Sequence, residues 1–173
     1  GEYKNGMVVS AHPEASQVGI DILKKGGNAI DAAIAINFAL AVCHPYAGNI
    51  GGGGFLVYRH AKGKVYALDY REKAPLASSK DMYLDASGNV IPQKSSIGIF
   101  SVGVPGTVAG MEEMHRKFGS LPWKELIQPA IDIARQGHVL TFREARGLNA
   151  NKLDFINENK DRFLNELFEL LRI

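Results

Sequence analysis

At 173 residues, with 46% hydrophobic and 22% charged side chains, the chain has the size and composition of one folded domain, which excludes the disordered and fibrous classes. Its formal charge of +2 comes from 20 basic and 18 acidic residues scattered along the sequence, so no basic stripe is available for phosphate contacts and nucleic acid is not an expected partner. The most apolar stretch, from Ala29 to Cys43, is interrupted by Asp31 and Asn37 and is too short to cross a bilayer as a helix, so no transmembrane span is expected.

Met7 to Ser10 reads as a short β-strand. From Pro13 to Lys25, Val18, Ile22 and Leu23 recur near helical spacing, and Gly26 and Gly27 stop that helix. Asn28 then caps a second helix, with Asp31 in its first turn where a negative charge meets free backbone N–H groups. This helix runs to about Cys43 and is apolar on nearly every side, which predicts a central position with neighbours on more than one face. Asn37 within it is expected to satisfy a core hydrogen bond. Cys43 is the single cysteine; no internal disulfide is possible, and its apolar surroundings predict a small buried hydrophobe.

Residues 55–59 and 64–70 are expected to form antiparallel neighbours, joined by a turn at His60-Ala61-Lys62-Gly63. A polar loop containing Ser87-Gly88-Asn89 follows, and Ile97 to Val102 is expected to return to the same sheet. Pro105 fits the first turn of a helix that continues to about Phe118 with Val108, Met111 and Met114 on its apolar face; Pro122 opens another that ends near Arg135, before Gly137. Thr141-Phe142-Arg143-Glu144 has capping-box spacing and predicts a short helix, and the leucine-rich run from Arg162 to Ile173 predicts a last one. Without a repeat or a linker signature, residues 1–173 are expected to form a single structural unit.

Among chemistry-bearing residues Arg71 stands out, in Asp69-Tyr70-Arg71-Glu72-Lys73-Ala74-Pro75 at the end of a predicted strand. A guanidinium offers a planar fork of donors matched to the two oxygens of a carboxylate, so Arg71 is a candidate anchor for an acidic substrate; the competing reading is an internal ion pair with Asp69 or Glu72. The four consecutive glycines, Gly51 to Gly54, fit neither the G-x-G-x-x-G nor the Walker pattern and instead permit close backbone approach, to substrate or to another element. The five histidines are widely separated, form no H-E-x-x-H pair and have one cysteine for company, so neither a metal site nor a cofactor is expected. No G-x-S-x-G elbow surrounds any serine.

Four ordered segments resemble the gamma-glutamyltranspeptidase large subunit: Gly26-Gly27-Asn28-Ala29-Ile30-Asp31-Ala32-Ala33, His44-Pro45-Tyr46-Ala47-Gly48-Asn49-Ile50-Gly51-Gly52-Gly53-Gly54-Phe55, the Asp69 to Pro75 segment, and Pro105-Gly106-Thr107-Val108-Ala109-Gly110. The resemblance spans roughly residues 7–137 and implies an α+β fold, part of the αββα sandwich of N-terminal-nucleophile hydrolases, with antiparallel strands packed by helices. It implies a self-cleaving proenzyme that transfers the gamma-glutamyl group of glutathione or related donors to water or an amino acceptor. Arg71 would then bind the donor's α-carboxylate, in agreement with its chemistry.

The nucleophile of such enzymes is a threonine at the small subunit's new N-terminus, whose α-amino group serves as base. Thr107 and Thr141 match helix-start positions, not that motif, so no catalytic residue is expected within these residues. The resemblance therefore implies a truncated large-subunit portion, inactive alone, whose partner is the small subunit and whose uncovered apolar faces favour self-association. It also implies a periplasmic, secreted or surface-anchored location, although no signal peptide is present. The alternatives are a related cephalosporin or poly-gamma-glutamate acylase and, from another class, a noncatalytic binding or assembly module.

Overall fold

A computed structural model describes residues 4–153; the helix expected from Arg162 to Ile173 lies outside them. Two compact units divide the chain, one through Gln136 and the other from Gly137 onward. In the first, helices α1 (Pro13–Lys24) and α2 (Ala29–Cys43) precede a hairpin of β1 (Phe55–Arg59) and β2 (Val65–Asp69), followed by α3 (Thr107–Phe118) and α4 (Trp123–Gln136). The second holds α5 (Phe142–Ala150), whose start is the expected capping box: Thr141 Oγ1 accepts from the Glu144 N–H, and Glu144 Oε2 accepts from the Thr141 N–H at 2.7 Å.

The uniformly apolar α2 is the centre of the first unit, packing against α1, α3 and α4 and burying Ile30, Ile34, Ala35 and Ala39. Asn28 caps it as expected, its Oδ1 accepting from the N–H groups of Ile30 and Asp31, while Asp31 Oδ2 accepts the Asn28 N–H at 2.9 Å. The pair does more than close a helix. Asp31 is fully buried, and its carboxylate also accepts the Ser120 and Leu121 N–H groups, at 3.0 and 3.4 Å, and the Ser120 hydroxyl. Asn28 Nδ2 donates to the Phe118 carbonyl at 2.7 Å, so one helix start fixes the connection between α3 and α4.

The strands pair antiparallel in the register Phe55↔Asp69 to Arg59↔Val65, and the turn closes through Gly63 at φ +88°. Leu56, Tyr58, Leu68 and Tyr70 face the helices, where the Tyr58 and Tyr66 rings lie 4.9 and 4.8 Å from Phe118. The opposite face carries Phe55, Val57 and Val65, exposed at 64%, 77% and 58%. This is a mixed α+β arrangement with a small antiparallel sheet.

Three expectations need correction. Residues 7–10 alternate in burial like a strand but pair with no strand among the described residues, and Ser10 instead bonds through its hydroxyl to His12 and Ser16 at the start of α1, so no strand forms. Ile97 to Val102 does not join the sheet: Gly98 at φ +82° and the Ser101 Oγ bond to the Gly98 carbonyl curl it into a 3₁₀ turn over Ile99–Ser101. Pro105 precedes α3, which starts at Thr107, and Val108 points outward.

Burial by itself raises the Asp31 pKa, but the hydrogen bonds from the Ser120 hydroxyl and from the Asn28, Ser120 and Leu121 backbone outweigh it and hold the carboxyl below its ordinary 3.8. A carboxyl depressed in the folded state stabilises above its unfolded pKa, and that contribution disappears as pH falls through the folded value. Asp31→Asn is expected to lower unfolding free energy at neutral pH by about 2–3 kcal/mol. Denaturant unfolding from neutral pH to below about pH 4 should show the difference from the parent shrinking on acidification; equal stabilities at neutral pH would contradict this role.

Candidate functional site

Where β2 ends, residues 70–73 are held on two sides. The Tyr70 N–H donates to the Gly54 carbonyl at 3.0 Å, and Lys73 and Val104 exchange backbone hydrogen bonds of 3.1 and 2.8 Å. The Gly52 carbonyl accepts from the Gly106 and Thr107 N–H groups at 2.8 and 3.0 Å, joining the glycine run to the start of α3. Two chain segments, the glycine run and residues 104–107, therefore flank the residue that carries the guanidinium and are bonded to each other.

Their approach depends on absent side chains. A Cβ on Gly53 would stand 2.7 Å from Arg71 Cα and from the Glu72 nitrogen, one on Gly54 2.9 Å from the Tyr70 ring, and one on Gly103 3.1 Å from Glu72 Cβ. At the cap of α3, a Cβ on Gly106 would lie 2.8 Å from the Tyr70 carbonyl carbon, and within the helix one on Gly110 would lie 2.6 Å from Tyr70 Cδ2. Gly51 differs: nothing lies within 4 Å of its Cβ position. Gly53 and Gly54 therefore serve packing around Tyr70–Glu72, whereas a Cβ on Gly52 would meet the Asn49 side chain; burial pushes the Tyr70 phenol above its ordinary 10.0.

Arg71 itself is exposed. Its N–H donates to Asp69 Oδ1 at 3.0 Å, and its guanidinium carbon lies 5.8 Å from the centre of the Phe55 ring, within cation–π range. Among the described residues Arg71 forms no ion pair: Asp69 is engaged with its backbone, not with its side chain. The planar donor fork thus faces solvent over an aromatic ring, able to receive a carboxylate through two hydrogen bonds. It stands on an open surface; clefts of about 500 Å³ along α5 and about 430 Å³ between α1 and α4 do not include it.

The other singled-out residues occupy structural positions. Asn37 Nδ2 donates to the Ala33 carbonyl at 3.2 Å, Cys43 is fully buried, Thr107 is buried at the start of α3, and the Thr141 hydroxyl is engaged with Glu144. Sequence reasoning missed the Phe55 ring beside Arg71, although the hairpin register places strand start opposite strand end and contains that signal. It also missed a grouping of His12, Glu14 and Cys43, which the packing of α1 on α2 brings together and which no local spacing reveals.

The family model for gamma-glutamyltranspeptidase matches residues 15–170. The glutathione hydrolase proenzyme of Pseudomonas sp. (strain A14) is 52% identical over 159 residues, covering 92% of this chain and 27% of that protein. The crystal structure of Helicobacter pylori gamma-glutamyltranspeptidase superposes with a TM-score of 0.86 at 50% identity, over 92% of this chain and 47% of that one. That of cephalosporin acylase from Bacillus halodurans superposes with a TM-score of 0.77 at 35% identity, over 96% of this chain and 30% of that one. The chain spans about a quarter of the length of the curated relatives it matches.

Substitutions within the glycine run separate packing from open space. Gly53→Ala is expected to cost about 1–3 kcal/mol, because backbone atoms of Arg71 and Glu72 cannot rotate away from the added methyl group. Gly51→Ala should stay within about 0.5 kcal/mol of the parent. Thermal or denaturant unfolding of the two variants checks this, and equal effects would contradict the packing assignment.

Proposed function

The chain belongs to the gamma-glutamyltranspeptidase family, and we propose that it is a portion of such an enzyme's large subunit in which Arg71 grips the α-carboxylate of a gamma-glutamyl donor such as glutathione. The observation that carries this reading is the exposed guanidinium: it has no ionic partner among the described residues, and the backbone on either side of it is held, Tyr70 by Gly54 and Lys73 by Val104. A rigid base with an unengaged donor fork suits capture of a planar anion better than it suits an internal ion pair.

In this reading the donor's carboxylate pairs with Arg71 and its gamma-amide is presented to a threonine supplied by polypeptide outside these 173 residues. The threonine hydroxyl attacks the gamma-carbonyl, its proton passing to the α-amino base, and the amine portion of the donor departs with a proton. Water or an amino acceptor then cleaves the acyl-enzyme. Thr107, buried at a helix start, and Thr141, engaged in a capping box, are not suited to that attack, which supports a chain that is inactive alone.

The exposed apolar face of the hairpin, with Phe55, Val57 and Val65, supports a second sheet packed on it, hence the αββα sandwich of N-terminal-nucleophile hydrolases, with residues 1–173 acting as one unit alongside a small subunit. Isolated chains with that face uncovered would self-associate. No helix among the described residues is long and apolar enough to cross a membrane; a periplasmic, secreted or surface-anchored location is inferred from family resemblance. The likeness to a cephalosporin acylase favours acylase chemistry as the second reading, which a donor profile of the whole protein separates.

In the full-length protein, Arg71→Lys is expected to raise the donor KM by roughly ten- to a hundredfold, since an ammonium cannot copy the two-point geometry. Steady-state kinetics with a gamma-glutamyl donor at varied concentration provides the check. An unchanged donor KM would remove Arg71 from the site.

A further inference from the structure

At the junction of α1 and α2, three different metal-ligating side chains meet. His12 caps α1, Glu14 stands in its first turn and Cys43 ends α2, and one ligand atom from each lies within 4.8 Å of the others. Cys43 is fully buried and His12 is 6% exposed. Glu14 Oε2 is shut off from solvent and has no hydrogen-bond partner. A buried carboxylate oxygen without a donor is costly, and a cation bonded to it removes that cost.

We propose that His12, Glu14 and Cys43 form a binding site for a divalent cation of the zinc class, which clips the start of α1 to the end of α2. An imidazole, a thiolate and a carboxylate are the ligand types that tetrahedral zinc accepts, whereas magnesium and calcium prefer all-oxygen sites. Ligand atoms on tetrahedral zinc are about 3.5 Å apart, given bond lengths near 2.0–2.3 Å. The present spacing therefore closes with side-chain movements of about 1 Å, and three protein ligands leave the fourth position to water or another donor.

Binding has identifiable proton and hydrogen-bond consequences. Cys43 releases its thiol proton to solvent and coordinates as thiolate. His12 Nδ1 accepts the Glu14 N–H at 3.3 Å, so the neutral ring carries its proton on Nε2; coordination through Nε2 moves that proton to Nδ1 and gives up a long, weak cap bond. The positive end of the α1 dipole opposes a cation, while Cys43 lies at the negative end of α2, which favours one, so the two helix ends offset each other. The site is independent of Arg71 and of the reading of substrate binding.

Cobalt(II) is the probe, added to chelator-stripped full-length protein as a spectroscopic substitute for zinc. The expected result is one cobalt per chain, with tetrahedral ligand-field absorption and a thiolate-to-cobalt charge-transfer band that Cys43→Ser removes. Glu14→Gln, at a half-buried position that keeps the helix start, should weaken cobalt binding at least about tenfold and reduce the rise in melting temperature that zinc gives the parent. If Cys43→Ser does not fold, the parent's charge-transfer band and Glu14→Gln still decide the question. No cobalt uptake, or uptake without the thiolate band and unaffected by Glu14→Gln, would overturn the site.

Discussion

No side chain can stand between residues 70–72 and the segments that enclose them. Gly53 and Gly54 on one side, and Gly103, Gly106 and Gly110 on the other, hold positions where a Cβ would meet the backbone or the ring of the strand end. Close packing of this kind leaves the backbone of Arg71 little freedom, while its side chain projects into solvent. Rigidity at the base and availability at the tip are the two properties that a substrate anchor needs together.

That enclosure rests on the helical layer beneath it. The α3 helix and its cap contribute Gly110 and Gly106, and the helix end is fixed to α2 by the buried Asp31 carboxylate and by Asn28, which bond to Phe118, Ser120 and Leu121. A capping box with tertiary partners thereby links the centre of the core to the strand end. The hairpin's inner face, through Leu56, Tyr58 and Leu68, completes the connection. Local backbone satisfaction, core packing and placement of the guanidinium are successive consequences of the same few residues.

Features set by local chemistry were legible in the sequence. The Asn28 and Thr141 caps, the uniformly apolar α2, the Gly63 turn and the antiparallel hairpin each follow from residues close together, and all are present. The strands expected at residues 7–10 and 97–102 were not formed, because a strand needs a partner and its own residues do not specify one. Arg71 was singled out from its type and motif, but the Phe55 ring beside it and the absence of an ionic partner among the described residues depend on register and packing. The grouping of His12 and Glu14 with Cys43 depends on how two helices cross, which neither helix's pattern encodes.

Under the proposed function, the Arg71 fork and the donor's α-carboxylate recognise each other directly. A double-substitution cycle in the full-length protein tests this by pairing Arg71→Lys with a donor analogue whose α-carboxylate is replaced by a neutral amide, and reading kcat/KM for all four combinations. Direct recognition predicts that the arginine substitution, damaging with the natural donor, has almost no further effect once the carboxylate is gone. Equal losses with both donors would show that Arg71 acts elsewhere.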